Sequence, residues 1–258
     1  MRINFYKYHG TGNDFILIDN REELVKLSNA QVSHLCNRHF GIGADGLMYL
    51  QEEKGYDFKM IYYNSDGRES TMCGNGGRCI VALAHTLGLI ENKASFLAID
   101  GPHRASIEKG VIHLEMQDVG RIEQYEDHAI LNTGSPHYVL WVEDVAATKV
   151  FERGRAIRNE KMFEPNGVNV NFAKLVNDIL HVRTYERGVE DETLSCGTGV
   201  VASAIASIKE ATGTFTIPIH TPGGELKVSF IKNTAFSAKN VVLSGPASFV
   251  FKGEIELL

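Results

Sequence analysis

Apolar residues along this chain cluster in short runs separated by Gly, Asn and Asp, and few of them recur at helical spacing. Seven runs in the first half read as strands: 2–8, 15–19, 47–51, 57–63, 95–99, 105–108 and 111–116. Many are rich in β-branched and aromatic residues, which suit a pleated, half-buried surface, and end at turn formers. The second half repeats the style at 128–133, 137–142, 169–173, 179–185, 214–220 and 225–230. Lys109-Gly110 joins two of the runs and reads as a hairpin turn. Helical i, i+3, i+4, i+7 spacing links Ile80, Leu83, Ala84 and Leu87, stopped by Gly88, and Val201, Ala204, Ile205 and Ile208, closing near Gly213. The pattern predicts an α+β protein of two domains, each a mostly antiparallel sheet wrapped around a central helix. The polar stretch 117–127 is the expected linker, and the domains divide as 1–118 and 119–244.

The two halves read as copies. Glu69-Ser70-Thr71-Met72-Cys73-Gly74-Asn75-Gly76 recurs as Glu192-Thr193-Leu194-Ser195-Cys196-Gly197-Thr198-Gly199, 123 residues later (196 − 73). At the same offset residues 12–17 lie over 135–140, and Asp100-Gly101 lies over Gly223-Gly224. Three anchors with one offset point to an internal duplication, and a repeat this long implies two pseudosymmetric domains rather than a solenoid.

Composition narrows the class without naming it. The 258 residues, 43% hydrophobic, suffice for two domain cores. A formal charge of −6 with scattered acidic residues argues against a nucleic-acid surface, which needs clustered Lys and Arg. The longest apolar stretches, 80–90 and 200–208, fall short of the roughly 20 residues that span a bilayer, and residues 1–7 lack the apolar core of a signal peptide. The expectation is a soluble cytoplasmic protein with no membrane partner and with its four cysteines reduced.

The duplicated motif carries the chemistry. Each of Cys73 and Cys196 stands where a helix begins, beside glycines. The first N–H groups of a helix lack intrahelical acceptors and carry partial positive charge, so they suit a carboxylate and stabilise a nearby thiolate. Gly74, Asn75, Gly197 and Thr198 would supply those donors. One thiol on each side of a cleft is the arrangement needed to take a proton from one face of a carbon and return one to the other. Carbanion charge spreading into a carboxylate held by pre-aimed donors removes the strict need for a cofactor. Cys36 and Cys79 lack the matched setting and read as packing residues.

These motifs resemble a known family. His9-Gly10-Thr11-Gly12-Asn13-Asp14-Phe15, Met72-Cys73-Gly74-Asn75-Gly76-Gly77-Arg78-Cys79, and Glu186-Arg187-Gly188 followed by Ser195-Cys196-Gly197-Thr198-Gly199 are similar to diaminopimelate epimerase, as are Gly41–Gly46 and Asn64–Gly67. Asn75 stands where proline racemase-like relatives usually have His. The resemblance implies cofactor-independent interconversion of LL- and meso-diaminopimelate, with Cys73 and Cys196 as the acid–base pair. It also implies a homodimer, and a last strand, within 245–258, that returns to the first domain. Asn13, Asn64, Asn169, Glu186 and Arg187 match the groups that hold the amino groups and distal carboxylate; His137 and Glu186 match residues that tune the thiols. Ser135 departs from the Asn common at that place.

Other readings are weaker. Gly41-Ile42-Gly43-Ala44-Asp45-Gly46 fits a dinucleotide-binding fingerprint formally, but a strand-like run follows it where a helix is required. No Cys-x-x-Cys or His-Glu-x-x-His pattern suggests a metal site. A redox switch through the two thiols, or a non-catalytic binding protein on the same fold, would leave the substrate-holding residues or the paired thiols without a purpose.

Overall fold

The computed structural model describes residues 2–257 and divides the chain into two compact units, one running to Leu114 and resuming at Pro246, the other spanning Glu115–Gly245. In the first unit β1 (Arg2–Gly10) and β2 (Asn13–Asp19) lead to α1 (Asn29–Cys36). β3 (Gly46–Gln51), β4 (Phe58–Asn64) and the two-residue β5 (Glu69–Ser70) precede α2 (Gly74–Thr86), which is followed by β6 (Lys93–Ala98), β7 (Gly101–Glu108) and β8 (Val111–Glu115). The second unit repeats this order: β9 (Ile122–Gln124), β10 (His128–Asn132), β11 (Pro136–Trp141), α3 (Val150–Arg158), β12 (Asn169–Val176), β13 (Ile179–Glu186) and β14 (Asp191–Thr193). Then come α4 (Gly197–Ser207), β15 (Gly213–Thr221), β16 (Gly224–Thr234) and β17 (Ser237–Gly245), and β18 (Ser248–Glu256) closes the chain.

Strand pairing makes the duplication explicit. In the first unit β2–β3 and β4–β6 are parallel, whereas β1–β2, β3–β4, β4–β5, β6–β7 and β7–β8 are antiparallel. In the second, β11–β12 and β13–β15 are parallel and the corresponding remaining pairs antiparallel. β9 pairs antiparallel with β10 as β18 does with β1, so the end of the chain gives the first unit the strand that β9 gives the second. The copies keep register: β2 and β11, α2 and α4, and β7 and β16 begin at 13 and 136, 74 and 197, and 101 and 224, each 123 apart.

The parallel pairs explain the continuous apolar runs. Ile16, Ile18, Leu47 and Tyr49 pack with Val32, Leu35 and Cys36 of α1. The alternate residues Phe15 and Met48 lie against Gly76 of α2. A strand covered on both faces is apolar wherever it is covered, and β2 is buried from Phe15 to Ile18 and β3 from Gly46 to Leu50. In the second unit Val139, Ala173 and Val182 pack with α4, while Leu140, Val170, Phe172 and Tyr185 form a second cluster with Val150 of α3. Each unit thus has helices on two faces, where the sequence pattern predicts one. α3 escapes that pattern because only Val150 and Gly154 are buried.

One other expectation changes and one holds. Residues 117–127 do not form a linker: Val119 is buried and bridges Ala238, and β9 arises within the stretch. Lys109 and Gly110 both adopt positive φ, 50° and 79°, as a two-residue hairpin turn requires.

Gly154 is where α3 meets the sheet most closely, since a Cβ there would lie 2.3 Å from Cβ of buried Tyr185. Gly154→Ala is expected to lower the unfolding free energy by about 1–3 kcal/mol in a urea titration, as overpacking does. An unchanged midpoint would show that α3 can shift freely.

Candidate active site

Both thiols occupy the N-cap of a helix. Cys73 (φ −95°, ψ 130°) and Cys196 (φ −113°, ψ 111°) are extended residues whose carbonyls accept the first helical bonds, from Gly77 N at 2.7 Å and Val200 N at 2.9 Å. Each follows a very short strand, β5 or β14, that pairs with the end of β4 or β13 and fixes where the helix starts. Gly74 and Asn75 at one helix, and Gly197 and Thr198 at the other, hold the first N–H positions. The third glycine of each motif has a packing role. A Cβ on Gly76 would meet Met48 Cε at 2.0 Å, and one on Gly199 would meet Asn171 Oδ1 at 2.2 Å. Met48 and Asn171 are themselves 123 residues apart, so the two close approaches are one contact duplicated.

Around Cys73 the polar groups form a chain with fixed polarity. Its Sγ–H faces Asn13 Oδ1 at 3.7 Å, which also accepts from Asn75 Nδ2 at 3.2 Å. Asn13 Nδ2 donates to Asp45 Oδ2 at 2.7 Å, and Arg78 Nη2 donates to Asn75 Oδ1 at 2.9 Å. A carboxylate only accepts and a guanidinium only donates, so both amides are oriented from their ends. Asp45 is held by Arg38, which also pairs with Asp14 at 2.8 Å; Lys7 pairs with Asp14 at 2.7 Å. Burial alone would raise the Asp14 carboxyl, but Arg38 and Lys7 hold it well below its ordinary range. Asn64 does not enter this chain; it ends β4 opposite Gly46, exposed, with backbone bonds to Arg68 and Gly67 across a turn.

Around Cys196 the arrangement differs. Its Sγ lies 3.5 Å from Thr198 Oγ1, and Thr133 Oγ1 donates to Thr198 O at 2.9 Å. Asn169 Nδ2 donates to Ser135 Oγ at 2.8 Å while its Oδ1 accepts from Arg187 N at 2.9 Å. Arg187 Nη2 reaches the same Ser135 hydroxyl at 3.3 Å. Ser135 therefore ties Asn169 to Arg187, a role its short side chain fills here. Glu186 Oε2 accepts from Thr193 Oγ1 at 3.0 Å, on the strand leading to Cys196. Among the other thiols, burial pushes Cys36 up to about 12 and Cys79 higher still, which keeps both protonated.

His137 lies on β11. It is fully buried, and burial, with the charge of Arg187 adding to it, holds its pKa down at about 3. A neutral ring brings no positive charge to tune a thiolate. Its Nδ1 accepts from Asn171 Nδ2 at 3.1 Å, an amide nitrogen identified by its bond to the Tyr138 carbonyl at 3.2 Å, while Asn171 Oδ1 accepts from the Thr184 hydroxyl at 3.0 Å. The ring proton is accordingly on Nε2. Asn171 and Thr184 were not picked out by sequence; alternation of Asn169 and Asn171 on one strand was the available signal.

Two thiols on duplicated helix N-termini, with oriented amides and Arg187 tied to Ser135, match a known pattern along the chain. The family model for diaminopimelate epimerase fits twice, at residues 5–128 and 129–250. The chain belongs to the diaminopimelate epimerase family. It is 49% identical to diaminopimelate epimerase of Flavobacterium psychrophilum over 98% of this chain and 100% of that one. It is 40% identical to that of Chlorobaculum tepidum, over 96% and 99%. The fold is shared more widely. A PhzF-family phenazine biosynthesis protein of Bacillus anthracis aligns with TM-score 0.78 at 14% identity over the whole of both chains. A hydroxyproline epimerase of Agrobacterium vitis aligns with TM-score 0.71 at 14% identity, over 98% of this chain and 92% of that one.

The His137 geometry gives a pH dependence of stability. Its folded pKa is below the unfolded value of about 6.5, so the unfolded chain binds the extra proton between these values. The stabilising contribution is complete above about pH 6.5 and is lost as pH falls toward 3. Urea unfolding at pH 7 and pH 5 should show a smaller loss on acidification in His137→Gln than in wild type; equal losses would mean the ring titrates normally.

Proposed function

We propose that this epimerase-family chain interconverts LL- and meso-diaminopimelate without a cofactor, with Cys73 and Cys196 as its two acid–base groups. The observation that carries the reading is the paired N-cap thiol, one in each duplicated unit, in a chain 49% identical over its length to a diaminopimelate epimerase. In each turnover one thiolate takes the α-proton. The C–H electron pair passes to the α-carbon and its carboxylate, and the other thiol delivers its proton to the opposite face. The thiolate and thiol exchange places, so the reverse reaction begins from the alternative state. Backbone N–H groups of Gly74, Asn75, Gly197 and Thr198 suit the carboxylate on which negative charge develops, where one pre-aimed donor is worth about 10²–10³ in rate.

Asn13, Asn64, Asn169, Glu186 and Arg187 hold the amino groups and the distal carboxylate in this reading. The planar fork of Arg187 suits bidentate binding of a carboxylate, and its tie to Ser135 supports a pre-set orientation. Glu186 and His137 influence Cys196 through hydrogen bonding and packing, with His137 neutral. The protein acts in the cytoplasm on the route to lysine and peptidoglycan precursors.

Proton NMR of LL-diaminopimelate in D₂O with reduced protein tests the reaction. Deuterium should enter one α-carbon as the meso isomer appears, while proline stays unexchanged. Cys73→Ala and Cys196→Ala should each lower epimerisation by about 10²–10⁴ with the far-ultraviolet circular dichroism unchanged. Exchange with proline alone, or wild-type rates in both alanine variants, would refute the assignment.

A homodimer is part of the same proposal. β18 carries Phe249, Val250 and Phe251, 52%, 50% and 44% exposed, beside Tyr8 and Phe5 of β1. A row of half-exposed apolar residues on one strand suits a second copy of the chain. Light scattering should give twice the chain mass for wild type and a shift to the single-chain mass for Phe251→Asp. A single-chain mass for wild type would end this part of the proposal.

A further inference from the structure

Arg78 is fully buried in α2 and pairs with no carboxylate among the described residues. Its guanidinium donates only to neutral oxygens: Gly74 O at 3.2 Å, Asn75 Oδ1 at 2.9 Å, Thr11 Oγ1 at 3.4 Å and Pro246 O at 3.3 Å. Burying a cation without a counter-ion is costly even when it is hydrogen-bonded. The fold does not demand that charge at this place. The position 123 residues on, in α4, is Val201, equally buried and apolar. The duplicated helices therefore differ in charge at the fifth residue after their N-cap cysteines.

The other charged and titratable groups near Cys73 are compensated. Lys7 and Arg38 balance Asp14 and Asp45, and Asp100 bonds His103 and the Met72 N–H. Cys79, next to Arg78 on α2, is kept protonated by burial. His9 Nδ1 accepts from Gly12 N. Cys73 is thus the group in electrostatic reach of Arg78 that can become its counter-ion; burial lowers the guanidinium pKa, and a guanidinium stays charged in proteins. One effect opposes this: the Asn13 carbonyl accepts from the Cys73 thiol and so favours its protonated form. That is a single neutral sulfur bond at 3.7 Å, weaker than a full charge in a low-dielectric interior. Near Cys196 no such excess shows among the described residues. His137 is neutral, Glu186 and Arg187 are adjacent and opposite in charge, and the thiol is 6% exposed.

We propose that Arg78 is a positioning residue that holds Cys73 as the thiolate of the resting protein, while Cys196 stays protonated. The buried cation then meets its anion at the helix N-terminus each time the thiol ionises, and turnover in one direction starts from Cys73 as the base. This rests on the assignment of both cysteines as acid–base groups.

The test is alkylation of the reduced protein by iodoacetamide across a pH series, with each cysteine followed by peptide mass spectrometry. In wild type the midpoint for Cys73 should lie about one pH unit or more below that for Cys196. Arg78→Met should raise the Cys73 midpoint by about one unit and leave that of Cys196 in place, and Arg78→Lys should restore most of the difference. A purely structural role would change the melting temperature without separating the thiols. The inference is overturned if Cys196 ionises first in wild type, a result that holds even if Arg78→Met does not fold, or if folded Arg78→Met keeps the wild-type Cys73 midpoint. Solvent exchange into diaminopimelate, measured on the same preparations, separates this outcome from failure of the epimerase reading: alkylation reports the thiols whether or not the substrate exchanges.

Discussion

The first turn of an α-helix presents N–H groups that its own backbone cannot satisfy, and both units of this protein are built around that fact. A cysteine takes the N-cap, its carbonyl begins the helix, and the first turn keeps its free N–H groups in a helix that is deeply buried. The burial and the polarity depend on each other. Water is largely kept from these ends, so any charge arising there is stabilised by fixed dipoles that need not reorganise.

Holding such an end in place takes close packing on the side that faces the sheet. Gly76 rests on Met48 and Gly199 on Asn171, each with no room for a methyl group. The strands beneath are parallel partners, apolar on one face for α1 or α3 and on the other for α2 or α4. In the second unit Asn171 interrupts that apolar face, bonded to Thr184 and His137 so that its polar atoms are satisfied. Where the first unit has a methionine in the contact, the second has a hydrogen-bonded network, which is how two copies of one fold come to offer different surroundings to their thiols.

Much of this was legible before folding, for stated reasons. Strands of β-branched and aromatic residues announced themselves, and the offset of 123 residues survives as the spacing of matched strand and helix starts. β5 and β14 were not legible, because two or three residues show no alternation and their pairing is imposed by β4 and β13. α3 carries too narrow an apolar stripe, and 117–127 looked like a linker because its anchor, Val119, is one buried residue in a polar run. At the site, the cysteines, Asn13, Asn75, Asn169 and Arg187 were marked by motif. Asp45 lay in a matching segment without a role and Asn171 was unmarked, since each acts by orienting another side chain, and orientation has no sequence signature. Arg78 stood within the motif, but nothing in the sequence said that it would be buried without a carboxylate.

The sequence by itself determined the duplication, the class of each half, the two thiols and the family, because repeated motifs and apolar patterning are local properties of the chain. Tertiary structure alone decided which amides point which way, that His137 is neutral, and that one helix carries a buried cation where its copy carries valine. Those outcomes depend on burial and on partners brought together from distant strands, and desolvation acts only once the chain has closed around them.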